Sequence, residues 1–307
     1  MQTASTVLMV EPVAFGYNEQ TALNNYFQVE QTGSNIQEKA LQEFQNFVEK
    51  LRAKGINVIV VKDTLEPHTP DSIFPNNWVS FHRDGMVRLY PMFAPNRRVE
   101  RRPDILERLK DEGFKIENVE DLSHFEKEDK FLEATGSIIF DHDHKIAYGS
   151  ISLRLDEGLF RDLCAKIGYS PVVFHSFQNA DGQRLPIYHT NVMMCVADRF
   201  VVICLDCIDS ELEREKVQEV IKSTNKEIIE ISEDQLQQFA GNMLQVQSQD
   251  GTKYLVMSQT AHKSLHADQI EKIEKYCEIL SADLETIETN GGGSARCMLA
   301  EVFLPRV

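Results

Sequence analysis

The sequence predicts an α/β fold assembled from similar units around a shared core. Two observations carry this. Short β-type runs alternate with amphipathic helical segments from end to end, and the helical blocks recur about every 50 residues, each with two or three strands around it. A third observation bears on domain count. At roughly 150 residues per domain a chain of 307 suggests two. No low-complexity tract or Pro/Gly-rich linker divides it, so a single domain over residues 1–307 is the expectation.

The elements follow in order. Val7–Val10 reads as the first strand. Ile36, Ala40, Phe44, Phe47, Val48 and Leu51 form the apolar stripe of a long helix, opened by Ser34-x-x-Gln37 and stopped by Gly55. Val58–Val61 and Val87–Tyr90 are strands, a helix follows Arg102, and Ser137–Phe140 is the next strand. Glu157–Ile167 is helical, and Val172–Phe174, Val192–Val196 and Val201–Leu205 are strands. Ser210-x-x-Glu213 opens a helix, Glu227–Ile231 is a strand, and Ser232-x-x-Gln235 starts a short helix. Tyr254–Ser258, a helix from about Ala261 to Ile279, and the strands Leu284–Thr286 and Met298–Phe303 complete the chain. Val, Ile and Phe dominate the strand runs, as suits a pleated, half-buried surface.

Charge and cysteine usage narrow the function. With 48 Asp and Glu against 32 Lys and Arg, the formal charge is −16. A field of that sign repels phosphate backbones and anionic lipid, so no nucleic-acid or membrane partner is expected. No apolar run approaches the roughly 18 residues that span a bilayer. No secretion-type leader is evident, and six scattered cysteines in mostly apolar surroundings suit reduced thiols in a cytoplasmic protein. Cys204-Leu205-Asp206-Cys207 spells CxxC without a second pair or a redox-type turn, and reads as structural.

The most unusual segment is Asn290-Gly291-Gly292-Gly293-Ser294-Ala295-Arg296-Cys297-Met298. Consecutive glycines let backbone approach a ligand closely, and a cysteine at the mouth of a strand is held as a nucleophile needs. Spacing alone leaves Cys297 equally readable as a buried structural thiol. No Gly-Lys-Ser/Thr follows, so phosphate cradling is a poor fit. A nucleophilic cysteine needs a proton carrier, and His189, in Tyr188-His189-Thr190-Asn191 at a strand edge, is the best-placed histidine. His142 and His144 lie in a polar turn, and His262 and His266 stand four apart on the last helix; neither pair has a further ligand cluster, so no metal is expected. Glu133 sits among apolar neighbours just before Ile138-Ile139-Phe140, where burying a carboxylate is costly unless it is paired; these residues alone read equally as an ordinary edge-strand carboxylate. Asp71, Asn76 and Asn77 beside Phe74 and the single Trp78 make a candidate binding loop.

Phe74-Pro75-Asn76-Asn77-Trp78, Glu133-Ala134-Thr135-Gly136, Gly149–Arg154, His189-Thr190-Asn191 and Gly291–Met298 come in an order and spacing that resembles the guanidino-group-modifying enzymes, the penteins. These comprise arginine deiminases, dimethylarginine hydrolases and amidinotransferases, and the chain is most similar to the amidinotransferase-like branch with the citrulline-utilisation hydrolases. The resemblance implies a five-bladed α/β propeller of ββαβ units with pseudo-fivefold symmetry. It implies Cys297 as nucleophile, His189 as general acid/base, and Glu133 as the acid contacting the substrate and the histidine. It further implies Arg154 on the substrate carboxylate, with Arg97 or Arg98 as a second substrate arginine. Asp71 is left between a contact to the substrate amino group and a turn cap.

In the deiminases the positions of Asn77 and Asn191 are typically aspartates. A guanidinium is a permanent cation whose strong partners are carboxylates. A ureido group is neutral and offers a carbonyl that an amide N–H can meet. The two amides therefore favour citrulline, hydrolysed through an S-carbamoyl cysteine to ornithine, CO₂ and ammonia without a cofactor. A guanidino hydrolase and a non-catalytic binding protein of the same fold are the alternatives. The expected partner is a small amino acid, with a homo-oligomer left open, and Gln178–Arg184 reads as an ordinary surface loop first and a candidate lid second.

Overall fold

The computed structural model describes residues 1–31, 35–180 and 182–307. Strand β1 (Thr6–Glu11) runs parallel to β2 (Asn57–Lys62), with α1 (Glu19–Ala22) and α2 (Ile36–Ala53) between them. Phe44, Phe47 and Leu51 of the predicted stripe on α2 are buried, each contributing about 1.5–3 kcal/mol. Ser34, expected to open this helix, lies outside the described residues.

One pattern then repeats: an antiparallel pair, a helical crossover, and a third strand parallel to the second. The second sheet holds β3 (Val79–Phe81), β4 (Met86–Leu89) and, after α3 (Pro103–Asp111), β5 (Asn118–Asp121). The third follows the short α4 (Ala134–Ser137) and holds β6 (Ile138–Asp141), β7 (Ile146–Ser150) and, after α5 (Glu157–Ile167), β8 (Ser170–Phe174). A separate hairpin, β9 (Phe177–Ala180) and β10 (Gln183–Pro186), precedes the fourth. That sheet is β11 (Met194–Val196), β12 (Phe200–Ile203) and, after α6 (Glu211–Ser223), β13 (Glu227–Glu230). Past α7 (Glu233–Leu236) come β14 (Leu244–Gln247), β15 (Lys253–Ser258), the helices α8 (Gln259–Ser264) and α9 (Ala267–Glu274), and β16 (Glu278–Ala282). Finally α10 (Glu285–Gly291) leads to β17 (Ala300–Glu301), antiparallel to β1, so the last strand completes the first sheet. Among the described residues there are five such three-stranded mixed sheets.

Three expectations near the C-terminus are corrected. The single helix over Ala261–Ile279 is two helices broken at Leu265-His266, where the Gln269 side chain accepts the His266 N–H at 2.8 Å and starts α9 afresh. Leu284–Thr286 is not a strand but the start of α10, and its two fully buried apolar residues, Leu284 and Ile287, are three apart, the spacing of a helix face. Met298–Phe303 shrinks to the two residues of β17 because tight turns occupy the approach, with Cys297 N–H bonded to Ser294 O at 3.0 Å and Leu299 N–H to Arg296 O at 3.2 Å.

The turns leading into the first strands are tied to one another. Thr135 Oγ1 donates to Asn76 O at 3.1 Å, Thr190 Oγ1 to Ser137 O at 2.5 Å, and Asn242 Nδ2 to Asn191 O at 3.2 Å. This lacing brings residues of different sheets to one centre. Among the described residues no helix is long and apolar enough to cross a membrane.

Candidate active site

Each sheet delivers polar side chains to the centre from just before its antiparallel first strand: Asn77 ahead of β3, Glu133 ahead of β6, His189 and Asn191 ahead of β11, Asn242 ahead of β14, and Cys297 ahead of β17. All are buried. Cys297 Sγ accepts from Asn242 Nδ2 at 3.2 Å and from Asn191 Nδ2 at 3.4 Å. Two amide donors thus converge on one sulfur acceptor. Asn242 is locked in turn, its Oδ1 accepting the Arg296 N–H at 3.1 Å.

The Glu133 carboxylate accepts the Phe93 N–H at 2.9 Å on Oε1; on Oε2 it meets His189 Nε2 at 2.7 Å and Arg154 Nη1 at 3.5 Å. Burial alone would raise its pKa, but Arg154, the His189 bond and Arg97 outweigh burial and hold it at about 2. Burial lowers His189 to about 4, with Glu133 opposing part of that shift. At neutral pH the pair is therefore a carboxylate and a neutral imidazole. With Nε2 engaged by Glu133, Nδ1 lies on the side of Gly136, where an added Cβ would come 2.9 Å from His189 Cε1 and clash with Asn77 Nδ2. A bare glycine is what lets the imidazole and the amide converge. Ala134, beside Glu133, adopts φ 32°, the left-handed region in which an alanine is strained.

Arg97 Nη1 donates to Asn77 Oδ1 at 2.8 Å, while its other donors bind both Glu100 oxygens and the carbonyls of Asp71 and Phe74. Arg98 instead bonds the Met92 and Phe93 carbonyls, so of the two arginines it is Arg97 that the fold brings to the site. Asp71 Oδ2 accepts from Asn18 Nδ2 at 2.7 Å and Thr21 Oγ1 at 2.9 Å. Burial raises its pKa above the ordinary carboxylate value, opposed by Arg97. Arg154 donates to Asn24 Oδ1 at 2.9 Å through Nε and to Thr21 O at 3.0 Å through Nη2, with its guanidinium 4.7 Å from the Tyr188 ring centre.

The segment around α1 thus covers the site from above. Its Asn25 Nδ2 also reaches Gly292 O at 3.2 Å, and Gln28 Nε2 reaches Asn290 O at 3.2 Å. Sequence reasoning missed this cover and placed the candidate lid at Gln178–Arg184. Those residues instead form the β9–β10 hairpin, pinned where Arg184 bonds Glu233 and Asp209; Asp181 lies outside the described residues. Asn242 was missed too. Its signal was positional: Gly241-Asn242 precedes the first strand of its sheet, as His189-Thr190-Asn191 does one unit earlier.

The remaining candidates lie elsewhere. His144 bonds Asp141, and His142 bonds the Tyr169 hydroxyl. His262 is on α8 while His266 caps α9, so they do not share a helix face. Cys204 and Cys207 Sγ atoms lie 3.1 Å apart, fully buried. Among the described residues no group of three or more His, Cys, Asp or Glu is placed to hold a metal ion.

The cysteine, histidine and glutamate come from separate sheets of one α/β fold, and the chain belongs to the pentein superfamily of guanidino-modifying enzymes. Within it, the chain belongs to the family described as N,N dimethylarginine dimethylhydrolase, eukaryotic, whose model matches residues 11–304. No curated protein is a significant match to the sequence. Among solved structures, unliganded ArgZ, an arginine dihydrolase from the ornithine-ammonia cycle in cyanobacteria, aligns with TM-score 0.74 and 17% identity over 98% of this chain and 41% of its own. A variant of AgrE in binary complex with L-arginine aligns with TM-score 0.73 and 16% identity, over 98% and 40%. A dimethylarginine dimethylaminohydrolase variant in adduct with S-methyl-L-thiocitrulline aligns with TM-score 0.60 and 16% identity, over 97% and 99%. The chain thus spans less than half the length of ArgZ or AgrE, and 99% of the ArgZ N-terminal domain in its substrate-bound form.

Proposed function

We propose that the protein is a single-domain cysteine hydrolase of the ureido group of L-citrulline, its five sheets forming the blades of a five-bladed α/β propeller. The return of β17 onto β1 supports the ring. The substrate assignment is carried by the orientation of Asn77. An arginine only donates, so the amide oxygen must face Arg97 and Nδ2 must face the centre, where it has no other partner. A fixed N–H donor suits a ureido carbonyl and opposes a guanidinium, which is itself all donors.

In this reading His189 takes the Cys297 proton and the thiolate attacks the ureido carbon. Asn77 Nδ2 receives the developing oxyanion. His189 returns the proton to the departing ornithine nitrogen, leaving S-carbamoyl Cys297. Water, deprotonated by His189, attacks that carbon, the C–S bond breaks, and the released carbamate decays to CO₂ and ammonia. Glu133 holds the imidazole and stabilises its protonated form. Asn191 Oδ1, buried and without a partner, accepts a ureido N–H. Arg154 and Asp71 hold the α-carboxylate and α-amino group, exchanging their bonds to Asn24, Asn18 and Thr21 for the substrate, so entry requires the cover to open. Arg97 positions Asn77 and does not touch substrate. Six free, buried cysteines support a cytoplasmic setting.

A second reading, hydrolysis of arginine or a methylated arginine, is favoured by the family match. One assay panel separates them: ornithine with CO₂ from citrulline, against citrulline from arginine or methylarginines. Mass spectrometry of acid-quenched protein after citrulline should show a carbamoyl-sized adduct on Cys297. Turnover of guanidino compounds alone, without the adduct, decides for the second reading.

A further inference from the structure

The hairpin turns after β3 and β6 lie at the opposite ends of those strands from Asn77 and Glu133. With the end of α5 and Phe303 they enclose a second cavity of about 460 Å³, within the range of small-molecule sites. Its charge is contrary to that of the chain. Against a net −16, the lining includes Arg83, Arg88, Lys145 and Lys166. Arg88 and Lys166 both pair with Glu120. Arg83 and Lys145 have no carboxylate within ion-pair distance among the described residues. Each instead lies over an aromatic face: Arg83 is 4.6 Å from the Phe303 ring centre and Lys145 is 4.8 Å from that of Tyr169.

Two carboxylates also line the cavity, both at exposed turns. Asp84 accepts the Met86 N–H within its own turn, and Asp143 is paired with the Met1 amino group. Partly buried between the turns are His82, bonded to Ser80 Oγ at 2.7 Å, and His142, bonded to the Tyr169 hydroxyl at 2.8 Å. Burial and the surrounding cations lower them to about 4 and about 3, so both are neutral imidazoles at neutral pH. Arg83 also donates to Met1 O at 3.1 Å. Two cations without a carboxylate partner, positioned by aromatic faces beside neutral polar rings, form a receptor for a compact dianion.

We propose that this cavity binds a phosphate-bearing small molecule, its phosphate held between Arg83 and Lys145 on the far side of the fold from Cys297. Free phosphate and a phosphomonoester share this chemistry. Calorimetric titration with inorganic phosphate and with AMP, on the whole chain, separates them. At least one probe should saturate, with affinity reduced about tenfold or more in both Arg83→Gln and Lys145→Gln, and unchanged in Cys297→Ser. Tighter binding of AMP identifies a phosphomonoester, and equal or tighter binding of phosphate identifies the free ion. Both side chains are exposed, so the two variants should keep the wild-type unfolding midpoint and turnover. Failure of both probes to saturate by about 10 mM, wild-type affinity in either variant, or loss of binding in Cys297→Ser would each overturn the proposal.

Discussion

The Arg97 guanidinium donates to Asn77 Oδ1 at 2.8 Å, and that bond decides which end of the amide the site sees. Arg97 is itself immobilised by both oxygens of Glu100, so turning the amide would set its NH₂ against a fixed donor and lose the Arg97–Asn77 bond. A hydrogen bond to a charged group contributes about 1.5–3 kcal/mol.

Replacing Asn77 by aspartate puts a carboxylate where the donor stood. The substitution should lower kcat/KM for citrulline by about a hundredfold, the loss of one oxyanion donor, and cost arginine turnover far less. Ornithine release from citrulline and citrulline release from arginine check this. Equal losses on both would show that Asn77 does not read the carbonyl.

Gly136→Ala should abolish turnover while leaving the fold intact. The new Cβ would clash with Asn77 Nδ2 and sit 2.9 Å from His189 Cε1. An unchanged far-UV spectrum beside activity reduced about a hundredfold or more is the expected pair of results, because misplacing a reacting group by about 1 Å costs that much.

Asn242→Ala removes the closer of the two donors to Cys297 Sγ. A hydrogen bond to a charged group contributes about 1.5–3 kcal/mol, so kcat should fall between about tenfold and a hundredfold. Alkylation of Cys297 by iodoacetamide should also change in rate relative to the wild type. Wild-type alkylation kinetics would count against a role for Asn242 on the sulfur.

Acid should destabilise the protein in two stages. His189 is lowered from 6.5 to about 4, so between those values the unfolded chain binds the proton first and stability falls with pH. Glu133 is lowered from 4.5 to about 2; its contribution is full above 4.5 and lost as pH falls toward 2. His82 and His142 are lowered over the same range, so His189→Asn should reduce, not abolish, the fall of the unfolding midpoint between pH 6.5 and 4, measured by thermal melts in a buffer series.

Much of the architecture was legible because it is written locally. The stripe on α2, the Ser210 and Ser232 caps and most strand runs depend on residues within a few positions of each other. The mistakes near the C-terminus arose where local signals competed: the apolar residues around Leu265 continue a helical period that the His266 cap interrupts. The site was legible where a residue type was costly without a purpose, as for Glu133 among apolar neighbours or Cys297 behind three glycines.

The sequence by itself determined the repeating α/β units and singled out Cys297, His189 and Glu133 as a candidate trio. Only the tertiary structure decided what holds that trio. Asn242 meets Cys297 across 55 residues, and Arg154 meets Asn24 across 130. Periodicity carries no information about such pairs. Which amide faces a sulfur, which arginine is spent on an asparagine, and which segment closes over the centre are settled by packing among distant turns, where each buried donor must find an acceptor.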